Sequence, residues 1–246
     1  IRKLGAELVF YPIKEDLSPN WTRCMELAKK NVPDLFVIVH YFGAINDGSM
    51  AKRFCQKYGA LLIEDAAHVV RPYKDIGKYG DFVFYSPHKV LPVPAGAILC
   101  VALPLYAKFL EFISETLSIE NNSWHFEWLI KRAVQKTMPA LFQRYLNRSI
   151  PDFTSDSIPK TFNCNSNLSN IAKNWLISQT SLVNNVCRIR KNNSINLRKR
   201  IAFEAPDQNL FFSETGEGPA PYRFVIQCKD LRDAEHLFDK IRSLGI

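Results

Sequence analysis

Four residues whose side chains could do chemistry each follow a short apolar run in the first part of the sequence. They are His40, Asp65, Ser86 and Lys89. If the runs are strands of one parallel sheet, these residues share the rim at which open α/β sheets bind ligands. A lysine amine could bind a ligand covalently and carry a proton there. Singly, an Asp in such a place commonly caps a turn and a Lys in a proline-rich loop is commonly exposed, but the joint arrangement favours a functional site.

The elements that must position these residues are strands separated by helices. Four apolar runs predict strands, at 35–39, 61–63, 82–85 and 97–101, and the first is expected to be buried. A helix is predicted from Pro19 with Ser18 as its N-cap, and a second from Met50 to Tyr58, where Gly59 suits a C-cap. Strand, helix and strand in succession predict a parallel sheet covered by helices, so the fold class is α/β. The run 6–12 is also predicted to be an interior strand.

Beyond residue 105 the pattern becomes helical and rich in aromatic residues as far as about 146. A loop is predicted over 147–168 and one long helix over 168–203. A strand at 222–228 and a helix at 233–244 then predict a small α+β domain.

Composition restricts the kind of protein. A hydrophobic fraction of 47% and a charged fraction of 23% are ordinary for a globular protein. The net charge of +8 fits an anionic ligand such as a phosphate, but it is spread along the chain, which favours a merely basic surface. The six cysteines have no zinc or C-x-x-C spacing, so we expect no metal site and reduced thiols, as in a cytoplasmic protein.

Two stretches raise the question of other partners. The uncharged stretch Val90 to Ala107 contains Gly96 and three prolines, which would break a spanning helix, so no membrane partner is expected. The basic stretch Arg188 to Arg200 lacks an aromatic platform and a nucleic-acid motif. We interpret it as a solvated helix face and expect no nucleic acid.

The motifs resemble one enzyme family. Ile63-Glu-Asp-Ala-Ala-His68 resembles the E-D-A-A-[QH] signature of DegT/StrS-type aminotransferases, which are fold type I enzymes that use pyridoxal 5'-phosphate (PLP). Phe84-Tyr-Ser-Pro-His-Lys89 is similar to the family's F-S…K segment, with a shorter gap between Ser and Lys. Val39-His-Tyr-Phe-Gly43 resembles its V-H-x-x-G strand end, and the tail from Pro221 is similar to its small domain.

The resemblance implies a role for each candidate residue. Lys89 would hold the cofactor covalently, and Asp65 would keep the pyridine nitrogen protonated. His68 would lie near the ring hydroxyl and Ser86 would bind the phosphate, although a helix-face histidine and a turn serine would also explain these two. The implied reaction moves an amino group from an amino acid donor to a keto-sugar, expected to be nucleotide-linked. The family's enzymes are homodimers.

Two alternatives remain open at this point. The chain could be a non-catalytic or truncated relative that acts as a binding or regulatory partner. It could also be a PLP-dependent dehydratase, in which a histidine replaces the lysine; Lys89 argues against this, although His88 is its neighbour.

The resemblance also implies that the chain is partial. The family's phosphate-cradling loop and ring-stacking aromatic residue precede the segment that opens this chain, so about one hundred further residues are expected upstream. We divide the chain into a partial PLP-binding large domain (1–110), a helical connector (111–185) and a small C-terminal α+β domain (186–246).

Overall fold

The centre of the computed structural model is a four-stranded sheet. The structure describes residues 5–101, 106–107, 110–111, 113, 118–119, 123–138, 166–204, 209–210 and 220–243. The strands lie in sequence order, as β1 (Leu35–Val39), β2 (Leu61–Ala66), β3 (Phe82–Tyr85) and β4 (Ile98–Val101).

Three of these strands are parallel and the fourth is not. β1, β2 and β3 run parallel, whereas β4 runs antiparallel to β3. A parallel β4 would need a crossover long enough to return to the start of the sheet, usually a helix. The connection after β3 instead consists of the short 3-10 helix Pro87–Lys89 and a series of turns, with no longer helix. The predicted α/β class is therefore correct, but the prediction of an entirely parallel sheet is wrong at β4.

Two helices precede and follow β1, and side chains at their ends determine their bounds. In α1 (Trp21–Lys30) the N-cap is Asn20, whose side chain accepts from the amide of Arg23. Ser18 was predicted to be the cap, but its hydroxyl instead donates a hydrogen bond to Asp16 within a turn. α2 (Gly48–Tyr58) begins at Asp47, and it ends at Gly59 in the left-handed region (φ 73°), as predicted.

The core lies between these helices and one face of the sheet. Cys24 and Ala28 of α1 and Phe54 of α2 pack against Phe36 and Leu62. The rings of Phe36 and Phe54 lie 4.7 Å apart between centroids. The opposite face of β1 is open in the described structure, since the side chains of Leu35 and Val37 are 52% and 38% exposed. β1, which was predicted to be a buried strand, is therefore buried on one face only.

The run 6–12 does not form the predicted interior strand. Within the described residues it pairs with no neighbouring strand, and residues 5–10 are exposed. Its attachment to the sheet is made by Tyr11, whose hydroxyl donates to the carbonyl of Val37 and whose ring stacks on Phe36. An apolar run without a backbone partner is not a strand, which composition alone does not reveal.

The remaining described elements are mostly helical, and they are α3 (Ser123–Thr137), α4 (Asn170–Gln179), α5 (Val183–Glu204) and α6 (Leu231–Ser243). Two-residue strands also pair, as β5 (Ser118–Ile119) with β6 (Ser166–Asn167) and β7 (Asn209–Leu210) with β8 (Ile226–Gln227). The strand predicted over 222–228 is thus much shorter. The loop predicted from 147 lies outside the described residues as far as 165, and the three-domain division stays a prediction.

The long helix predicted over 168–203 is interrupted. A 3-10 helix, Thr180–Leu182, separates α4 from α5. Around this break the hydroxyls of Ser178 and Thr180 donate to the carbonyls of Trp175 and Ile177. Hydroxyl groups that bond to nearby carbonyls compete with the helical pattern, so they account for the break. Of the helices in the described ranges, none has the length and apolar character that crossing a membrane requires.

Candidate functional site

Strand β2 directs its two adjacent carboxylates to opposite faces of the sheet. Burial alternates along β2, so that Leu62, Glu64 and Ala66 are buried while Asp65 is half-buried. A ligand beyond the sheet can therefore meet Asp65 but not Glu64.

Glu64 lies at the centre of a buried hydrogen-bond network. One of its oxygens lies 3.0 Å from Nε2 of His40, and both side chains are 0% exposed. Its oxygens also accept the backbone amides of Gly77, Tyr79 and Gly80 at 2.7, 2.8 and 2.5 Å. Burial alone would raise the pKa of Glu64, but these hydrogen bonds outweigh it and hold the pKa below the usual value.

His40 belongs to this network and not to the ligand-facing rim on which it was predicted. Its Nδ1 accepts the amide of Asn46 at 3.2 Å, so the ring proton that points to Glu64 is on Nε2. Its own amide donates to the carbonyl of Asp65 at 3.0 Å. His40 therefore binds both neighbours on β2, one by its side chain and one by its backbone, and helps to hold Asp65 in place.

Asp81 is a second carboxylate whose two oxygens both accept hydrogen bonds from other parts of the fold. One of its oxygens bonds to Nζ of Lys52 at 2.6 Å, and the other accepts the amide of Leu62 at 2.8 Å. Glu64 and Asp81 are thus both engaged in structural contacts, whereas Asp65 lies on the opposite face of β2 from Glu64.

The loop that supplies amides to Glu64 requires glycine at position 77. A Cβ there would lie 2.0 Å from the hydroxyl of the buried Tyr85, and the residue has a φ of +81°. We expect Gly77→Ala to lower the free energy of unfolding by about 2 to 4 kcal/mol, from backbone strain and from displacement of Tyr85.

The matched control for this prediction is Gly59→Ala. Gly59 has a similar φ of +73°, but nothing lies within 4 Å of an added Cβ. This variant should lose only the strain contribution, about 1 kcal/mol. Thermal or urea unfolding compares the two, and equal losses would show that the contact with Tyr85 is unimportant.

Beyond the end of β2, His68 lies between two aromatic rings. Its ring centroid is 5.7 Å from that of Phe42 and 4.5 Å from that of Tyr222, with interplanar angles of 16° in both pairs. Its Nδ1 accepts the amide of Phe42 at 2.9 Å. Phe42 has a φ of 56°, in a region that costs a non-glycine residue of order 1 kcal/mol or more. Strain at a residue that holds His68 is consistent with a functional site.

The charged candidates act on His68 together. Burial lowers the pKa of His68, the positive charges of Lys89 and Arg223 lower it further, and Asp65 opposes them. The ring is therefore neutral at neutral pH. Because Nδ1 accepts a hydrogen bond, the proton is on Nε2. His68, Asp65 and Lys89, three of the four predicted site residues, are close enough to interact.

Lys89 ends the 3-10 helix Pro87–Lys89 that follows β3. Its side chain is half-buried, and Nζ lies 5.9 Å from the centroid of the Tyr222 ring. Ser86 precedes this helix, and its carbonyl accepts the Lys89 amide at 3.0 Å. The Ser86 side chain makes no capping hydrogen bond to this helix. His88 is exposed and its Nδ1 lies 2.9 Å from the carbonyl of Gly96, an arrangement that does not favour the dehydratase alternative.

Asp65 has a local structural role as well. Its Oδ1 accepts the amide of Ala67 at 2.9 Å, as a turn-capping Asp does. This hydrogen bond orients the carboxylate at the strand end. The structural and functional interpretations of Asp65 are therefore compatible.

A segment near the C-terminal end of the given sequence adds Tyr222 to the candidate site. The amide of Tyr222 donates to the carbonyl of Phe42 at 2.9 Å. The Arg190 guanidinium donates to the carbonyls of Pro221, at 3.2 Å, and of Tyr222. Phe42 and Tyr222 were not predicted to be site residues. The available signal was their place inside two of the family-like segments, V-H-Y-F-G and P-Y-R-F.

One family model matches the first part of the chain. Residues 1–101 match the model of the DegT/DnrJ/EryC1/StrS aminotransferase family. The resemblance to DegT/StrS-type aminotransferases is thus confirmed over the part of the chain that carries Asp65, His68 and Lys89. Among curated proteins, no sequence matches this chain.

Solved structures with the same fold include three aminotransferases. PseC of Helicobacter pylori, involved in the biosynthesis of pseudoaminic acid, is 14% identical with a TM-score of 0.66. A DegT DnrJ EryC1 StrS aminotransferase of Brucella abortus is 14% identical with a TM-score of 0.68, and TlmJ of Streptoalloteichus hindustanus is 17% identical with a TM-score of 0.62. The matches cover 98 to 100% of this chain and 58 to 59% of theirs. The DegT-type fold is therefore present in part.

Proposed function

We propose that the protein is a PLP-dependent aminotransferase that moves an amino group from an amino acid to a keto-sugar. The observation that carries the proposal is the half-buried Lys89 beside a neutral His68 and the strand-end carboxylate of Asp65. The family match over residues 1–101 covers all three residues.

The chemistry of these side chains fits the cofactor. When bound, PLP supplies an aldehyde that takes up an amine and a pyridine ring that accepts electrons. Lys89 offers a primary amine to the aldehyde. Asp65 offers a negative charge to the pyridine nitrogen, and its competitors Glu64 and Asp81 are held by other groups.

Each residue then has a stated task in the proposed reaction. Lys89 would hold the cofactor and would carry a proton on Nζ at the reacting carbon. Asp65 would keep a proton on the ring nitrogen by its negative charge. His68 would donate its Nε2 proton to the ring hydroxyl oxygen, and the Ser86 hydroxyl would bind the phosphate.

The finer assignments belong to the same proposal. We propose a nucleotide-linked keto-sugar as the acceptor and a homodimer as the active form, both by the family resemblance. The cytoplasm is proposed as the location because the five described cysteines are free thiols, with Cys24 and Cys55 buried.

Replacing Asp65 tests the electronic part of the proposal. We expect Asp65→Asn in the full-length protein to retain covalent cofactor binding to Lys89, because the amine is untouched. Amine transfer should slow by about a hundredfold, or about 3 kcal/mol of transition-state stabilisation. The measurement is formation of a 2-oxo acid from the amino acid donor, which needs no knowledge of the sugar.

Asp81→Asn is the matched control. It removes a carboxylate close to β2 that contacts Lys52 and a backbone amide. This variant should lose stability but retain the rate of 2-oxo acid formation in the folded fraction. Near-normal turnover by Asp65→Asn would contradict the assignment of Asp65.

A further inference from the structure

A cleft of about 220 Å³ lies next to the candidate site. It runs between the chain that follows β2 and the first half of α5. Three residues that line it are Val69, Val90 and Ala220. In the sequence they are adjacent to His68, Lys89 and Pro221. The cleft and the site therefore share their boundary segments.

The cleft is strongly positive. Arg71, Arg188 and Lys191 line it, whereas no Asp or Glu is among its lining residues in the described structure. Arg71 is held by the side-chain oxygen of Asn184 at 2.6 Å, and Arg188 by that of Asn185 at 2.8 Å. Both partners are neutral amides. Within the described ranges, none of the three cations belongs to an ion pair with a carboxylate.

The charges of the cleft favour an anionic ligand. Arg71 and Arg188 are exposed, so water screens their repulsion, but their neutral partners orient both side chains without compensating their charge. Cys187, on the same wall, adds no negative charge because burial raises the pKa of its thiol. An arginine guanidinium that is held in place is suited to bind two phosphate oxygens at once.

The volume also restricts the ligand. Sites that bury a whole drug-sized molecule are usually about 300 to 1,000 Å³. The cleft is smaller, so it suits one charged group of a ligand whose remaining part lies outside it. The adjoining site at Lys89 and His68 is where that part would lie.

We propose that this cleft is a phosphate subsite, in which Arg71, Arg188 and Lys191 bind a phosphate or diphosphate group of a ligand that reacts at Lys89. The proposal rests on the proposed function for the identity of the reacting site, but the binding of the anion does not. It also assigns a role to the first part of the basic stretch Arg188 to Arg200, which was interpreted from the sequence as a solvated helix face.

Inorganic pyrophosphate is the probe. We expect it to bind the full-length, cofactor-free protein at constant ionic strength in isothermal titration calorimetry. Arg71→Gln, Arg188→Gln and Lys191→Gln should each weaken binding about tenfold or more. Arg200→Gln removes the same charge from an exposed position of α5 that does not line the cleft. This control should change the affinity less than twofold.

Borohydride trapping distinguishes whether the bound phosphate belongs to the cofactor or to the acceptor. The protein is mixed with PLP, or with pyridoxal, which lacks the phosphate, and is then reduced. If the cleft holds the cofactor's phosphate, Arg71→Gln and Arg188→Gln should reduce trapping of PLP to the level of pyridoxal. If it holds the acceptor's phosphate, trapping of PLP should be unchanged, and pyrophosphate should compete with the acceptor substrate alone.

Three results would overturn the subsite. One is the absence of pyrophosphate binding to the unmodified protein. The second is an affinity in the three cleft variants equal to that of the unmodified protein. The third is a loss in Arg200→Gln as large as the loss in the cleft variants. Lys89→Ala should retain pyrophosphate binding, so a failure of the proposed chemistry at Lys89 is distinguishable from a failure of the subsite.

Discussion

Replacing Lys89 with alanine is expected to abolish covalent attachment of PLP in the full-length protein. Borohydride reduction of the protein mixed with PLP should label wild-type Lys89 permanently, and peptide mapping should locate the label there. Lys89→Ala should show no such label. Amine transfer should fall at least on the order of a thousandfold, or about 4 kcal/mol, because both the covalent link and the proton carrier are lost.

The controls for Lys89 are two lysines of the loop that follows β2. Lys74 and Lys78 are both exposed, and Lys78 is paired with Asp75. Lys74→Ala and Lys78→Ala should retain the label and the activity. A borohydride label on either of them in the wild-type protein would contradict the assignment of Lys89.

Glu64→Ala should cause the largest loss of stability among the substitutions considered. The side chain accepts hydrogen bonds from three backbone amides and lies 3.0 Å from Nε2 of the buried His40. Its removal leaves four polar groups without their acceptor, of which the Gly80 amide and Nε2 of His40 are buried. We expect a loss of about 3 to 5 kcal/mol in the free energy of unfolding, because each buried group left without a partner costs about 1 to 3 kcal/mol.

The measurement is urea unfolding, with Glu26→Ala as the control. Glu26 forms an exposed pair with Arg23, and its side chain is 48% exposed. Such pairs contribute about 0 to 1 kcal/mol, so this control should unfold at nearly the wild-type urea concentration. A loss below about 1 kcal/mol in Glu64→Ala would show that the network contributes little.

The same network gives a pH dependence with a definite sign. The pKa of Glu64 is below its usual value of 4.5 in the folded protein. The stability that this shift contributes is present above that usual value and is lost as the pH falls through the lowered value in the folded state. Glu64→Gln should therefore flatten the fall in stability below about pH 4.5. If stability falls with pH in Glu64→Gln as it does in the wild-type protein, other carboxylates cause the fall.

The sequence by itself determined the α/β class, the four central strands and the family-like motifs, because these depend on local patterns. Short apolar runs separated by helical stretches can be recognised without knowledge of long-range contacts. The same holds for Gly59 at the end of α2. The order and spacing of E-D-A-A-H and S-x-x-K sufficed to select Asp65, His68, Ser86 and Lys89. Their catalytic and binding roles stay predictions.

The tertiary structure alone decided which face of the sheet carries Asp65 and which distant residues join the candidate site. His40 and Asp65 both follow apolar runs, yet His40 is buried beside Glu64 while Asp65 lies on the opposite face of β2 from Glu64. Tyr222 reaches His68 from a distant part of the chain, and the direction of β4 depended on the connection after β3. The cleft joins Arg71 to Arg188, which are far apart in sequence. The physical reason is that local propensity predicts elements, whereas facing and packing depend on contacts between residues that no local pattern relates.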